Sequence, residues 1–97
     1  MAKKSSSNQT ATAATTPRPV VIDGLRSPFV KAFGEFQRWG TVELSQRVAS
    51  ELLEKSRFPA DKLDEVIVGC VLPSVNAPNI AREVVLGTEI PNHVPGM

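Results

Sequence analysis

The chain carries one cysteine, Cys70, and one histidine, His93, in 97 residues. A single cysteine excludes an internal disulfide framework and any multi-cysteine metal site, and it points to a reducing, intracellular compartment. Long apolar runs are missing too. The longest, Val66 to Leu72, falls far short of the ~20 residues that a membrane-spanning helix needs. No excess of charge of one sign stands out either: 11 Lys and Arg oppose 10 Asp and Glu, for a net charge of +1. The basic residues are interleaved with acidic ones, as at Glu51, Glu54, Lys55 and Arg57. No basic stripe is left to displace counterions from a phosphate backbone, so nucleic acid is not an implied partner.

The first residues also lack anything to bury. Met1 to Ser7 is basic and hydroxyl-rich, and Asn8 to Thr16 contains no apolar side chain larger than Ala. Such a segment cannot offset its ordering entropy, which predicts a disordered tail over residues 1–18. It has no apolar core of a secretory signal. Acidic residues are absent before Asp23, as in a mitochondrial transit peptide, but Arg is scarce and no amphipathic helix can be drawn. The reading is a plain tail on a cytoplasmic protein, with the mitochondrial matrix as the alternative.

The texture changes at Pro17-Arg18-Pro19. Val20-Val21-Ile22 is a β-branched run, ended by Asp23-Gly24, and predicts a short buried strand. Leu25 to Gly40 mixes Ser27-Pro28, Gly34 and Gly40 with Phe29, Phe33, Phe36 and Trp39. That composition suits a long ordered loop whose aromatic residues anchor it to the body. A helix follows, with Thr41 as its cap and Glu43 in its first turn. Leu44, Val48, Ala49, Leu52 and Leu53 form one apolar stripe, Lys55 and Arg57 sit at the end, and Pro59 stops it.

Asp64 to Leu72 is close to a continuous apolar run, the pattern of a strand covered on both faces. Strand, helix, strand in this order predicts a right-handed crossover that pairs Val20–Ile22 with Val66–Leu72 in parallel. Asn79 can cap a second helix through Ile80, Ala81, Val84, Val85 and Leu86, with Gly87 at its C-terminal turn. Residues 89–97, with Pro91, Pro95 and Gly96, read as a connector. The fold class is therefore α/β, a β-α-β-α series. Two parallel strands leave open edges and apolar faces that two helices cannot cover, so the series is expected to be incomplete on its own.

Several segments together resemble the start of a thiolase: Arg26-Ser27-Pro28-Phe29, the glycine-containing loop, the helix from Thr41, Gly69-Cys70-Val71-Leu72, and Ala77 to Gly87 with Asn79-Ile80-Ala81-Arg82. The last of these is closest to the fatty-acid-oxidation branch, the thiolase subunit of the trifunctional complex and its bacterial counterparts. The resemblance implies that residues 19–97 begin the N-terminal domain of a thiolase-type layered α/β fold, cut before the helix that carries the nucleophile. It implies an acyl-CoA acyltransferase that forms or cleaves 3-ketoacyl-CoA through a cysteine acyl-enzyme, with coenzyme A as a substrate and no cofactor. It further implies a homo-oligomer and allows for a hydratase/dehydrogenase subunit beside it. A nucleophile in that family follows just past Met97, so no catalytic, cofactor-binding or metal-binding residue is assigned to this chain, and alone it is expected to be inactive. The alternative is a non-catalytic piece that docks on a full-length thiolase.

Four residues invite a functional role. Cys70, among apolar neighbours in the second strand, reads as a small core hydrophobe rather than a nucleophile. His93 lies in the Pro-flanked connector and reads as a surface residue. Arg26 and Arg82 are each expected to tie a loop or a helix start to backbone carbonyls or a carboxylate, Arg26 through a buried fork of hydrogen bonds.

Overall fold

The computed structural model describes residues 16–97. Its regular elements are helix α1, Thr41–Ser56, a 3₁₀ turn at Ala60–Lys62, and helix α2, Ile80–Leu86. The tail expected over residues 1–18 lies outside the described residues up to position 15, and Thr16, Pro17 and Arg18 are exposed.

Helix α1 starts one residue earlier than its sequence suggests. Gly40, with extended backbone, is the N-cap, and Thr41 is already helical. Glu43 makes this possible by reaching back so that its Oε1 accepts the Gly40 N–H at 3.1 Å, which satisfies a donor that the helix cannot. At the other end Arg57 takes a left-handed conformation, φ 58°, and its N–H donates to the Leu53 carbonyl at 3.0 Å. Pro59 then prevents continuation. The apolar stripe Leu44, Val48, Ala49, Leu52 and Leu53 is half-buried along its length, and no residue of α1 is fully buried.

Helix α2 is short but deeply seated. Asn79 Oδ1 accepts the Arg82 N–H at 3.0 Å, a side-chain cap worth about 1 kcal/mol. Ile80, Ala81, Val84 and Val85 are buried, the spacing of a single helix face. Val85 packs with Ile90 and Val94, and Leu53, Leu63 and Val66 close over them. Residues 89–97 are thus more than the connector they resemble, because they supply two of the three central core side chains. Gln46 joins the helices: its Nε2 donates to the Glu83 carbonyl at 2.8 Å, and its amide lies where a Cβ on Gly87 would stand.

The parallel pair forms between partners other than those the sequence suggests. The Val66 N–H donates to the Pro95 carbonyl, the Met97 N–H to the Val66 carbonyl and the Val68 N–H to the Met97 carbonyl, each at 2.9 Å. Val66 and Gly96 are bridged in parallel, with α2 in the crossover between them, the connection that parallel pairing requires. Val20–Ile22 does not pair with Val66–Leu72. Val20 and Val21 are 77% and 91% exposed, and Val71 and Leu72 93% and 87%. Among the described residues no strand forms, so the sheet of the expected β-α-β-α series exists only as this short ladder. The physical reason is the lack of neighbours: a ladder this short gains little unless further strands or helices cover it.

The segment before α1 is held to that helix by charge. Lys55 Nζ donates to Asp23 Oδ1 at 3.1 Å and to the Gly24 carbonyl at 3.0 Å, while the Gly24 N–H donates to the same Asp23 oxygen at 2.7 Å. The Gly24 N–H first, and Lys55 second, lower the Asp23 pKa below its ordinary 3.8. A group with a depressed folded pKa stabilises above its unfolded value, so this tie is complete above pH 3.8 and is lost as pH falls through the lower folded midpoint. A carboxyl NMR titration should give Asp23 a midpoint below 3.8. Lys55→Met should raise it only partway back, because the Gly24 N–H remains; an unshifted midpoint in the unmodified chain would contradict the tie.

Candidate functional site

The most elaborated constellation is the seat of α2 on residues 94–97. Asn79 serves two segments at once: its Oδ1 caps the helix, and its Nδ2 donates to the Gly96 carbonyl at 3.1 Å. One turn on, Arg82 Nη1 donates to the Val94 carbonyl at 3.1 Å. Between these bonds the two backbones touch. A Cβ on Gly96 would stand 2.8 Å from the Ala81 carbonyl carbon and 3.0 Å from the Arg82 nitrogen, so only glycine fits without moving main chain. Arg82 therefore does what its sequence context suggests, tying a helix start to a backbone carbonyl.

The other singled-out residues lie apart from the seat. Cys70 is exposed, which corrects the core-packing reading. It opens on a hollow of about 230 Å³ shared with the start of α1, from Gly40 to Glu43, and with Asn76, Ala77 and Ile80. The apolar run predicted cover on both faces, but these residues do not provide that cover. His93 is exposed in a turn closed by the Val94 N–H on the Pro91 carbonyl at 3.1 Å. No hydrogen bond joins it to Cys70 among the described residues, and these residues gather no group of three His, Cys, Asp or Glu side chains able to hold a metal.

Arg26 also departs from expectation. It is exposed rather than buried, donates from Nη1 to the adjacent Ser27 carbonyl at 3.1 Å, and places its guanidinium 4.2 Å above the Phe29 ring. The loop from Leu25 to Gly40 is anchored by only two of its aromatics. Phe36 and Trp39 meet edge to face at 6.3 Å and border a hollow with Leu44 and Val48 of α1. Phe29 and Phe33 stand 88% and 89% exposed.

Residues 19–97 match the family model described as the thiolase N-terminal domain. The chain belongs to the thiolase family. Over 76 residues it is 41% identical to proteins named 3-ketoacyl-CoA thiolase from Salmonella paratyphi B, Salmonella newport and Salmonella heidelberg. Those matches cover 78% of this chain and 17% of each relative, so the chain spans a minor part of the curated thiolases it matches.

Within this thiolase domain, Asn79 to Val85, one of the segments that carry the resemblance, also builds the seat of α2. Sequence reasoning found Asn79 and Arg82 there and missed Gly96. Pro95-Gly96 reads as loop punctuation, and the available signal was the general rule that glycine also marks close backbone approach. Likewise, the sequence reads Gly40 as the end of the loop and Glu43 as a first-turn charge, whereas together they form the cap of α1. The exposure of Cys70 has a direct readout. In the 97-residue chain its thiol should react with a disulfide reagent at the rate of the denatured chain, and Cys70→Ala should leave the helical signal within about 0.5 kcal/mol of unmodified stability. Slow reaction, released only by denaturant, would restore the buried reading.

Proposed function

We propose that residues 19–97 open the N-terminal domain of a 3-ketoacyl-CoA thiolase, an acyltransferase of fatty acid metabolism. The observation that carries this reading is the match of residues 19–97 to the thiolase N-terminal domain, together with the 41% identity to proteins named 3-ketoacyl-CoA thiolase. In the proposed enzyme a cysteine thiolate attacks the 3-keto carbon of a 3-ketoacyl-CoA, the bond between carbons 2 and 3 breaks, and acetyl-CoA leaves as its enolate and takes up a proton; coenzyme A then gives up its thiol proton, takes the acyl group from the cysteine and frees the thiolate. Coenzyme A is a substrate here, and no cofactor is invoked. Residues 19–97 supply scaffold to this chemistry and no reacting group.

The layered α/β architecture is part of the proposal. Val66–Val68 and residues 95–97 would be neighbouring parallel strands, with Val20–Ile22 joining the same sheet once further strands and helices cover both faces. Exposed Val20, Val21, Ile67, Val71 and Leu72 are the surfaces that such layers would bury. A homo-oligomer, association with a hydratase/dehydrogenase subunit, and a cytoplasmic or mitochondrial-matrix location belong to the same reading. These exposed apolar residues also favour a second reading, in which the chain alone docks on a complete thiolase without catalysing anything.

Thiolysis of acetoacetyl-CoA by free coenzyme A separates the possibilities. The complete polypeptide carrying these residues should turn over, and residues 1–97 alone should not. Activity of the short chain that survives purification and disappears in Cys70→Ala would make Cys70 the nucleophile. No activity in the complete polypeptide would overturn the thiolase assignment of function.

A further inference from the structure

We propose that the hollow between the loop Leu25 to Gly40 and helix α1 is a binding site for a small aromatic carboxylate. This goes beyond the catalytic reading above and does not depend on it, since it assigns a ligand to side chains of this chain alone. The body of the hollow is apolar: Leu25, Phe36 and Trp39 of the loop line it together with Leu44 and Val48 of α1, around a space of about 280 Å³. That is just below the ~300 Å³ at which small-molecule pockets begin, which suits one ring with a short chain. Phe36 and Trp39 meet edge to face, and Trp39 keeps 42% of its surface exposed. Aromatic surface is therefore left uncovered for a ring to pack on.

The charged groups that line the same hollow are Arg26, Arg47 and Glu51. Two guanidinium groups against one carboxylate leave one positive charge over, which favours a monoanion over a phosphate dianion. Arg26 has donors to spare. The Phe29 ring covers one face of its guanidinium at 4.2 Å, and among the described residues its hydrogen bonding is limited to Nη1 on the Ser27 carbonyl, so most of the N–H groups on its edge are unspent. Arg47 gives only Nε to Glu51, at a long 3.4 Å, in an exposed pair. Both arginines thus keep N–H edges for the planar, two-point contact that a carboxylate accepts. Neither is locked to a buried partner that a ligand must displace.

Trp39 is the only tryptophan of the chain, which makes its fluorescence a local probe of the hollow. With the 97-residue chain, hydrocinnamate should change that emission saturably. Hydrocinnamamide keeps the ring and the chain but not the charge, and should bind about tenfold more weakly, the worth of a charge-assisted hydrogen bond. Arg26→Gln and Arg47→Gln should each weaken hydrocinnamate about fivefold and leave the amide unchanged. Lys62→Gln removes an equal charge from outside the hollow and should stay within about twofold of the unmodified chain. No saturable change with hydrocinnamate, an amide that binds as tightly as the acid, or arginine variants that behave like Lys62→Gln would each overturn the proposal. Both arginines are exposed, so the helical signal should survive their substitution. If a variant loses it, the comparison of acid with amide on the unmodified chain decides alone.

Discussion

The close approach of two main chains at Gly96 is the constraint on which the ordered part of this chain depends. Because no Cβ intervenes, the first turn of α2 lies directly on residues 94–97, near enough for Asn79 and Arg82 to reach the Gly96 and Val94 carbonyls. That placement lets residues 95–97 run beside Val66 and exchange hydrogen bonds with it. It also turns Ile90 and Val94 inward against Val85, the centre of the core. A methyl group on Gly96 would push α2 and the extended residues 95–97 apart, and cap, ladder and core would all lose registry together.

The parts N-terminal to this unit are attached in series, α1 directly through Leu53 on the core and the segment before it through α1. Helix α1 rests on α2 through Gln46 and reaches residue 89 through Ser50, whose hydroxyl is 3.1 Å from Glu89 Oε1. The segment at Asp23 and Gly24 hangs in turn on Lys55 of α1. Among the described residues, the buried hydrophobic ones all fall between Ala77 and Val94. The Cα radius of gyration is 18.7 Å, against about 13 Å for a compact chain of 100 residues. The chain covers 17% of the length of the thiolase relatives it matches.

How much of this was legible in the sequence divides by range. Both helices, the stop at Pro59 and the Asn79 cap are local properties, set by spacing and by a side chain reaching its own backbone three residues on, and the sequence carries them openly. The α1 cap was misassigned by one residue, because a glycine followed three residues later by glutamate can replace a threonine cap. Pairing partners are non-local. The sequence suggests Val20–Ile22 beside Val66 and reads residues 95–97 as connector, and it is the packing of α2 on Gly96 that brings residues 95–97 alongside Val66 instead. The apolar run around Cys70 spoke of a covered strand without saying what covers it, and these residues do not. Arg26 was misread for the same reason: a buried fork needs a body to be buried in, and here the guanidinium finds only Phe29 and its own neighbour's carbonyl.

Residue-resolved hydrogen exchange on the 97-residue chain tests the central claim, that one unit spanning α2 and the Val66 ladder holds what order there is. The account predicts slowest exchange at the amides of Val66, Val68, Val85 and Met97, slowed jointly and lost jointly in Gly96→Ala, with Val20 to Ile22 and Val71 to Val75 exchanging at the unprotected rate. Strong protection of Val20 to Ile22 that survives Gly96→Ala would contradict it, by showing a sheet organised around the first segment and independent of the contact at Gly96.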